Sequence, residues 1–332
     1  MQTKNKIISI LLSLFFLNIT VNAFSDEFNI SADEIVVDKK NNIVIGEGSV
    51  LVTDNTGKTI KANYVSYEKS KEFLLVKNLV EFFDSEGNVI KTNKATYDKV
   101  NNLIIAYDNS KLVLSNGYVL DSDKIIYNNF NKTIASDQYS VLSDSDGNIV
   151  TTNMFRYDIK KNLFSSIGKI KIIDTKKNKY FLKEIHVDTL KKEMIGSDVS
   201  VILDQENFGL SNESDPRFVA NDISLSKNKS NLSKGVFTVC KKKGDRCPPW
   251  KLQAKKISHD KIKKTIYYEN ATLKIYNIPI FYFPRFFHPD PTVKRQSGFL
   301  APFFSQSTTV GAGFSLPYYW AISPDKDLTF TT

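Results

Sequence analysis

Residues able to do covalent chemistry are few in this chain. Its two cysteines, Cys240 and Cys247, lie in FTVCKKKGDRCPPW. A zinc site would need further ligands, which His186, His259 and His288 are not placed to supply. The cysteines are disulfide candidates, either with each other or with cysteines beyond this chain. A GxSxG elbow, an HExxH motif and a phosphate loop are all absent, and Gly311-Ala312-Gly313 sits inside a strand pattern. DSDGN echoes a calcium loop but lacks the later bidentate glutamate, so it reads as a turn. No catalytic residue, cofactor or metal is expected. The chemistry left to the chain is that of surfaces, above all of recurring tyrosines and aliphatics.

Those residues recur with a period. Segments start at Ala32, Ala62, Thr92, Ser122, Thr152 and Leu182, at intervals of 30, with looser copies at Ala220 and Ala254. One column, three positions in, is Ile35, Val65, Ala95, Ile125, Phe155, Ile185, Ile223 and Ile257. Two positions on come Val37, Tyr67, Tyr97, Tyr127, Tyr157, Val187, Leu225 and His259. Polar residues alternate with them, the pattern of strands with one buried face. A second apolar column is Val52, Phe82, Leu112, Leu142, Ile172 and Ile202. Gly57, Gly87, Gly117 and Gly147 mark Asp/Asn/Ser-rich turns that need positive φ. The sum is a stacked, quasi-one-dimensional all-β array. Its columns could fill each other as a dry solenoid core or line an apolar groove. The mid-sized Tyr and Val lean slightly toward the groove, since a tyrosine can face an apolar chain and keep its hydroxyl near water. No charge block or proline guards the first repeat, so its edge is open to a partner strand or to cover by the local chain.

Lys4 and Lys6, the apolar run Ile7 to Leu17 and the small-residue site at Val21-Asn22-Ala23 read as a secretory signal peptide over 1–23. The net charge of +9 is spread over many lysines, which suits either an anionic surface or plain solubility. No motif suggests nucleic acid. The repeat domain is expected over 24–273, and a junction rich in Pro and aromatic residues over 274–298. There Pro279, Pro284, Pro289 and Pro291 are expected to interrupt any strand and to make a rigid, partly buried connection. From Val310 to Trp320 apolar residues alternate with mostly small ones, the pattern of a membrane-spanning strand. Residues 299–332 thus read as the start of a β-barrel, with the rest of it truncated. Pro302 and Pro317 would weaken its seam or merely mark strand ends.

FTVC…CPPW, then NATLKIYNIPIFYFPRFFHPDPTVKRQSGFL, then LPYYWAISPDKDLT strongly resemble the lipopolysaccharide-assembly outer-membrane family, LptD (OstA, Imp). The resemblance is dense from Phe237 to Thr329 and more general over the repeats. It implies a periplasmic β-jellyroll (β-taco) of stacked repeats followed by the first strands of a transmembrane barrel. Ile35, Val37, Val65, Tyr67, Tyr97, Ile125, Tyr127, Phe155, Tyr157 and Ile185 would line its groove. Lipopolysaccharide would arrive from a periplasmic bridge protein docked at the N-terminal edge. A barrel holding a lipoprotein plug would release it into the outer membrane, opening near Pro302 and Pro317, which match the family's motif positions. Cys240 matches a family cysteine, whereas Cys247 is an addition to the pattern, and a cysteine near the mature N-terminus is missing. Two other readings are a structural or adhesive β-solenoid and the soluble bridge protein itself. The segment after Ala271 argues against the bridge.

Overall fold

The structure is a computed structural model. It describes residues 28–55, 57–204, 214–240, 249–290, 293, 295–300, 303–307 and 311–331. The expected signal peptide, Cys247, Pro291 and Pro302 lie outside the described residues.

Twenty strands, from Asn29–Ser31 to Ile278–Pro289, form one antiparallel sheet. The repeat unit is a pair of long strands, bent at the middle through a slip in register. In Phe73–Phe83 the register slips between Lys77 and Val80, where Asn78 and Leu79 take positive φ. The same slip recurs at Asp108-Asn109 within Leu103–Val113 and at Gly48-Ser49 within Ile43–Thr53. Asn, Asp and Gly tolerate the left-handed region, and such a bulge bends its strand. Each strand therefore contributes one half to each of two walls. Leu74 and Val76 are buried before the bend and Val80 and Phe82 after it, while Lys77, Asn78 and Leu79 are exposed. The two apolar columns read from the sequence form the inner faces of these opposed walls as far as Ile172, but Ile202 is exposed and its neighbour Val201 takes the buried position. Phe82 on one wall and Tyr97 on the other bring their ring centroids to 6.4 Å. Burial of such side chains contributes about 1.5–3 kcal/mol each.

Hydroxyls fill the crease between the walls. Thr92 Oγ1 and Ser110 Oγ lie 2.9 Å apart, Ser122 Oγ is 3.0 Å from both Ser136 Oγ and Ser140 Oγ, and Thr152 Oγ1 is 2.7 Å from Ser166 Oγ. Backbones crowd there, and small side chains that satisfy one another fit.

Two kinds of turn close the free ends of the walls. In the glycine turns, Asp84 Oδ1 accepts from the Asn88 amide at 2.9 Å, and Asn88 Oδ1 accepts from the Ser115 amide of the next turn at 3.0 Å. Asn148 and Asn178 repeat that stitch to Thr175 and Asp204. In the Asx turns an aspartate caps the chain three residues on, as Asp98 Oδ1 does for the Asn101 amide at 3.0 Å. The last position there is left-handed without glycine, at Asn102, Lys132, Asn162 and Lys192.

Two expectations are corrected. The prolines do not interrupt the junction: Ile278–Pro289 is a regular strand of 12 residues holding Pro279, Pro284 and Pro289. Among the described residues it pairs only with Thr265–Ile275, and a missing donor is tolerated on an edge strand's free side. The sheet thus runs past residue 273. The junction is partly buried: Ile278, Ile280, Phe281, Tyr282 and Phe287 are exposed while Phe283 and Phe286 rest on the core. Finally, the alternation from Val310 to Trp320 is not one strand. Gly311–Ser315 pairs with Phe303–Ser307, whereas Tyr318–Ser323 pairs with Gly298–Phe299 and Lys326–Phe330 in a separate sheet. Pro317 lies buried in the break, its carbonyl accepting from the Leu300 amide at 2.8 Å. A proline cannot donate to a ladder, so the strand ends there. No helix among the described residues is long and apolar enough to cross a membrane, which says nothing about a barrel.

Candidate functional site

The space between the walls is the feature the repeats jointly build. Of the ten groove positions, Val65, Tyr67, Tyr97, Ile125, Tyr127, Phe155, Tyr157 and Ile185 are buried there. Ile35 and Val37 are 45% and 55% exposed. Among the described residues their strand, Glu34–Asp38, is at the N-terminal edge and pairs only with Ile43–Thr53, so no further described repeat covers them.

The tyrosine column stands at the mouth, rings inside and hydroxyls toward the turns. Tyr97 Oη accepts from Lys58 Nζ of the opposite wall's turn at 3.0 Å. Tyr127 Oη shares its one proton between Asp84 Oδ2 across the mouth at 3.4 Å and Asn129 Oδ1 at 3.3 Å. Tyr157 Oη lies 3.3 Å from Thr189 Oγ1. Burial, then the charges of Asp84 and Glu86, push the Tyr127 phenol well above its ordinary value, so it stays neutral. Lys99 Nζ sits 5.0 Å from the Phe28 ring centroid, a further cation on an aromatic face at the mouth.

How far the interior is open varies along the stack. Around Ile60, Phe82, Ile90 and Tyr97 the walls leave gaps of no more than ≈ 10 Å³. Farther on a cavity of ≈ 120 Å³ opens among Leu114, Leu142, Val150, Phe155, Tyr157 and Val187. The lean toward an open groove is thus corrected for the early repeats, whose columns fill each other. Complementary side-chain sizes, Tyr against Phe and Leu, leave no channel there.

Two features escaped the sequence reading. Ion pairs cross the mouth, Lys132 Nζ to Glu86 Oε1 at 2.7 Å and Lys192 to Asp146. Both pairs are separated by the same 46 positions, a signal the sequence carried. The second is a Ser165–His186–Glu184 line, with Ser165 Oγ 2.9 Å from His186 Nδ1 and Glu184 Oε1 3.0 Å from Nε2. It imitates a nucleophile, base and acid, but the His and Glu side chains are 39% and 46% exposed. A triad relies on a buried carboxylate to orient its base, so the line is read as cross-strand hydrogen bonding. No group of three or more His, Cys, Asp or Glu able to hold a metal occurs among the described residues. Cys240 Sγ lies 3.9 Å from the Trp250 carbonyl oxygen.

Bent antiparallel strands stacked into two facing walls, with a nearly continuous apolar interior, define an all-β repeat protein. Residues 266–332 match the family model described as LptD protein, within the stretch whose motifs carry the resemblance. The LPS-assembly protein LptD of Shewanella sp. (strain MR-4) is 47% identical over 89 residues, 26% of this chain and 12% of the relative. Its counterpart in Shewanella denitrificans is 37% identical over 147 residues, 44% of this chain and 18% of the relative. That of Yersinia pestis bv. Antiqua is 38% identical over 100 residues, 30% and 12%. The aligned chain thus spans less than a fifth of the length of these relatives. Among solved structures, LptH of Pseudomonas aeruginosa, an LptA-homologous periplasmic component of a lipopolysaccharide transport device, aligns with a TM-score of 0.30 and 19% identity. That alignment covers 33% of this chain and 80% of LptH.

Proposed function

We propose that the chain carries lipopolysaccharide to the outer membrane, acyl chains between the two walls and the charged head outside the mouth. The observation that carries this reading is the apolar interior running from Val50 to Ala271. Exposing a chain of about twelve carbons to water would cost about 10 kcal/mol at about 0.8 kcal/mol per methylene, so the path needs such a lining. Because the early repeats are closed, the walls part for the lipid to pass. A periplasmic bridge protein adds its edge at Glu34–Asp38, where Ile35, Val36 and Val37 are exposed. The segment after Gly298 begins a barrel in the outer membrane that holds a lipoprotein plug and opens sideways near Pro302 and Pro317. The strand break at Pro317 supports a weak seam there.

The close packing of the early repeats favours a second reading, a structural β-solenoid that binds by its outer face. One experiment separates the two. In cells, the full-length protein carries a photoreactive residue in place of Tyr127, which is buried, or of Thr96, which is half-buried on the outer face. Lipopolysaccharide adducts at Tyr127 and not at Thr96 support the conduit. Adducts at neither favour the solenoid, and equal adducts at both refute the assignment of inside and outside.

A further inference from the structure

The two ion pairs at the mouth and the cavity between them form one arrangement. Lys132 and Lys192 occupy the left-handed position that closes an Asx turn, at φ 53° and 56°. Glu86 and Asp146 occupy the position before glycine in a glycine turn. The equivalent pair one repeat after Glu86 and Lys132, and one before Asp146 and Lys192, is Asn116 and Asn162, which carry no charge. The mouth is therefore clasped on either side of an interval that lacks a clasp, and the ≈ 120 Å³ cavity lies in that interval.

The crease is also altered here. The strand halves Thr133–Ser136 and Ser140–Ser143 are separated by a break, as are Ile149–Thr152 and Phe155–Asp158, where other repeats run through as single strands. Here the walls leave space between them. The lining is graded. Leu112, Leu120, Ile134, Val150, Phe155 and Phe164 make its depth, while the polar Asp144 and Thr189 belong to the turns at the rim. Tyr118 and Tyr157 flank the opening with centroids 6.5 Å apart. An apolar cavity of about 150 Å³ stays dry and accepts a benzene-sized guest, so this one suits a run of several methylenes. An apolar depth under a polar rim fits a single straight hydrocarbon chain whose polar head stays at the mouth.

We propose that this cavity is a side portal that admits one fatty acyl chain through the mouth, and that the Glu86–Lys132 and Asp146–Lys192 clasps hold the flanking turns shut and limit its width. The proposal deepens the conduit reading and rests on it. The clasps are exposed ion pairs, individually weak and screened by salt, so they yield readily.

The test is photolabelling of the full-length protein with a diazirine-bearing palmitic acid, with labelled residues mapped by mass spectrometry. Labels are expected on Leu142, Val150 and Phe155 and not on Val76 or Ile90, with loss of labelling in Val150→Trp, which fills the cavity. Since that variant could misfold, the clasps supply an independent arm. Lys132→Glu should speed uptake by up to about fivefold, as should raised salt in the parent protein, and Glu86→Lys with Lys132→Glu should restore the parent rate. Labels spread evenly over all repeats, or uptake indifferent to both salt and charge reversal, overturn the portal. Labelling at the cavity without lipopolysaccharide adducts at Tyr127 in cells keeps the portal and removes lipopolysaccharide as its cargo, so the two failures are distinguishable.

Discussion

Replacing Ile125 with alanine puts the two-wall architecture to a quantitative test. Ile125 is fully buried on the inner face of Val119–Asn128, between Ala106 on one neighbouring strand and the repeat beyond. Truncation removes three carbons and leaves a void that the flanking strands, bonded on both sides, cannot collapse. Ile→Ala at such a site costs about 2–5 kcal/mol. Stability in a stacked array is a sum of local and nearest-neighbour terms, so the loss concentrates in the adjoining repeats. A cost of about 2 kcal/mol corresponds to roughly 30-fold faster exchange through local opening. Hydrogen exchange on the full-length protein should show that acceleration for amides of Leu103–Val113 and Val119–Asn128 and little change in Thr265–Ile275. Ile35→Ala is the matched control: it is the same column one edge away, 45% exposed, and should cost well under half as much. Equal effects of Ile35→Ala and Ile125→Ala would refute the placement of the column, and acceleration spread evenly over all repeats would refute its local character.

Other perturbations separate backbone from packing. Gly87→Ala places a Cβ 3.7 Å from Ser115 Cβ, an ordinary contact, so its cost of about 1–2 kcal/mol comes from φ +83° alone. Gly196→Ala meets Leu182 Cδ2 at 2.5 Å and the Glu184 carbonyl at 2.9 Å, so its cost is steric and should be partly relieved by Leu182→Ala, which chemical denaturation of the double variant would detect. Thr92→Val leaves Ser110 without its hydroxyl partner in the crease and should destabilise by about 1–3 kcal/mol, with Ser110→Ala recovering part of the loss. The carboxyls of Asp38 and Asp98 are held below their ordinary value first by the side chains of Asn41 and Asn101, then by those residues' amides, and Asp188 and Asp260 first by the amides of Lys191 and Lys263. Such groups stabilise fully above the unfolded value of 3.8 and lose the effect as pH falls through their lower folded values, so proteolysis with an acid protease should find the Asx turns opening first below pH 3.8. Tyr127 has the opposite sign: its raised value stabilises below pH 10 and is lost as pH rises further, and Tyr127→Phe should flatten that alkaline limb.

The repeat, its turns and the buried columns were legible because each has a short-range signal. Asp-x-x-Gly-Asn fixes a turn locally, and Val65 with Tyr67 or Ile125 with Tyr127 gives the alternation of a strand with one buried face. The bend was not legible, since Asn78-Leu79 and Asp108-Asn109 share no residue pattern beyond tolerance of positive φ. Without it the two columns could not be assigned to opposing walls, nor could the filling of the early repeats be foreseen. Pro279, Pro284 and Pro289 misled because a proline reports a missing donor, and whether a donor is needed depends on which neighbours the strand acquires. Pro317 marked a strand end, as one of the two sequence readings allowed, while the unbroken alternation around it suggested a single strand. The clasps depend on long side chains meeting across 46 residues, and only their recurrence at a fixed interval hinted at them.

The measurement that tests the conduit most directly is a reversible staple across the mouth. Cysteines replacing Glu86 and Lys132 in the full-length protein, joined in cells by a reductant-cleavable bis-maleimide, tie the walls where the native ion pair already brings them together. If acyl chains travel between the walls while the head projects through the mouth, the staple should stop newly made lipopolysaccharide from reaching the cell surface, and reduction should restore it. Delivery through the stapled protein at the unstapled rate would contradict passage between the walls.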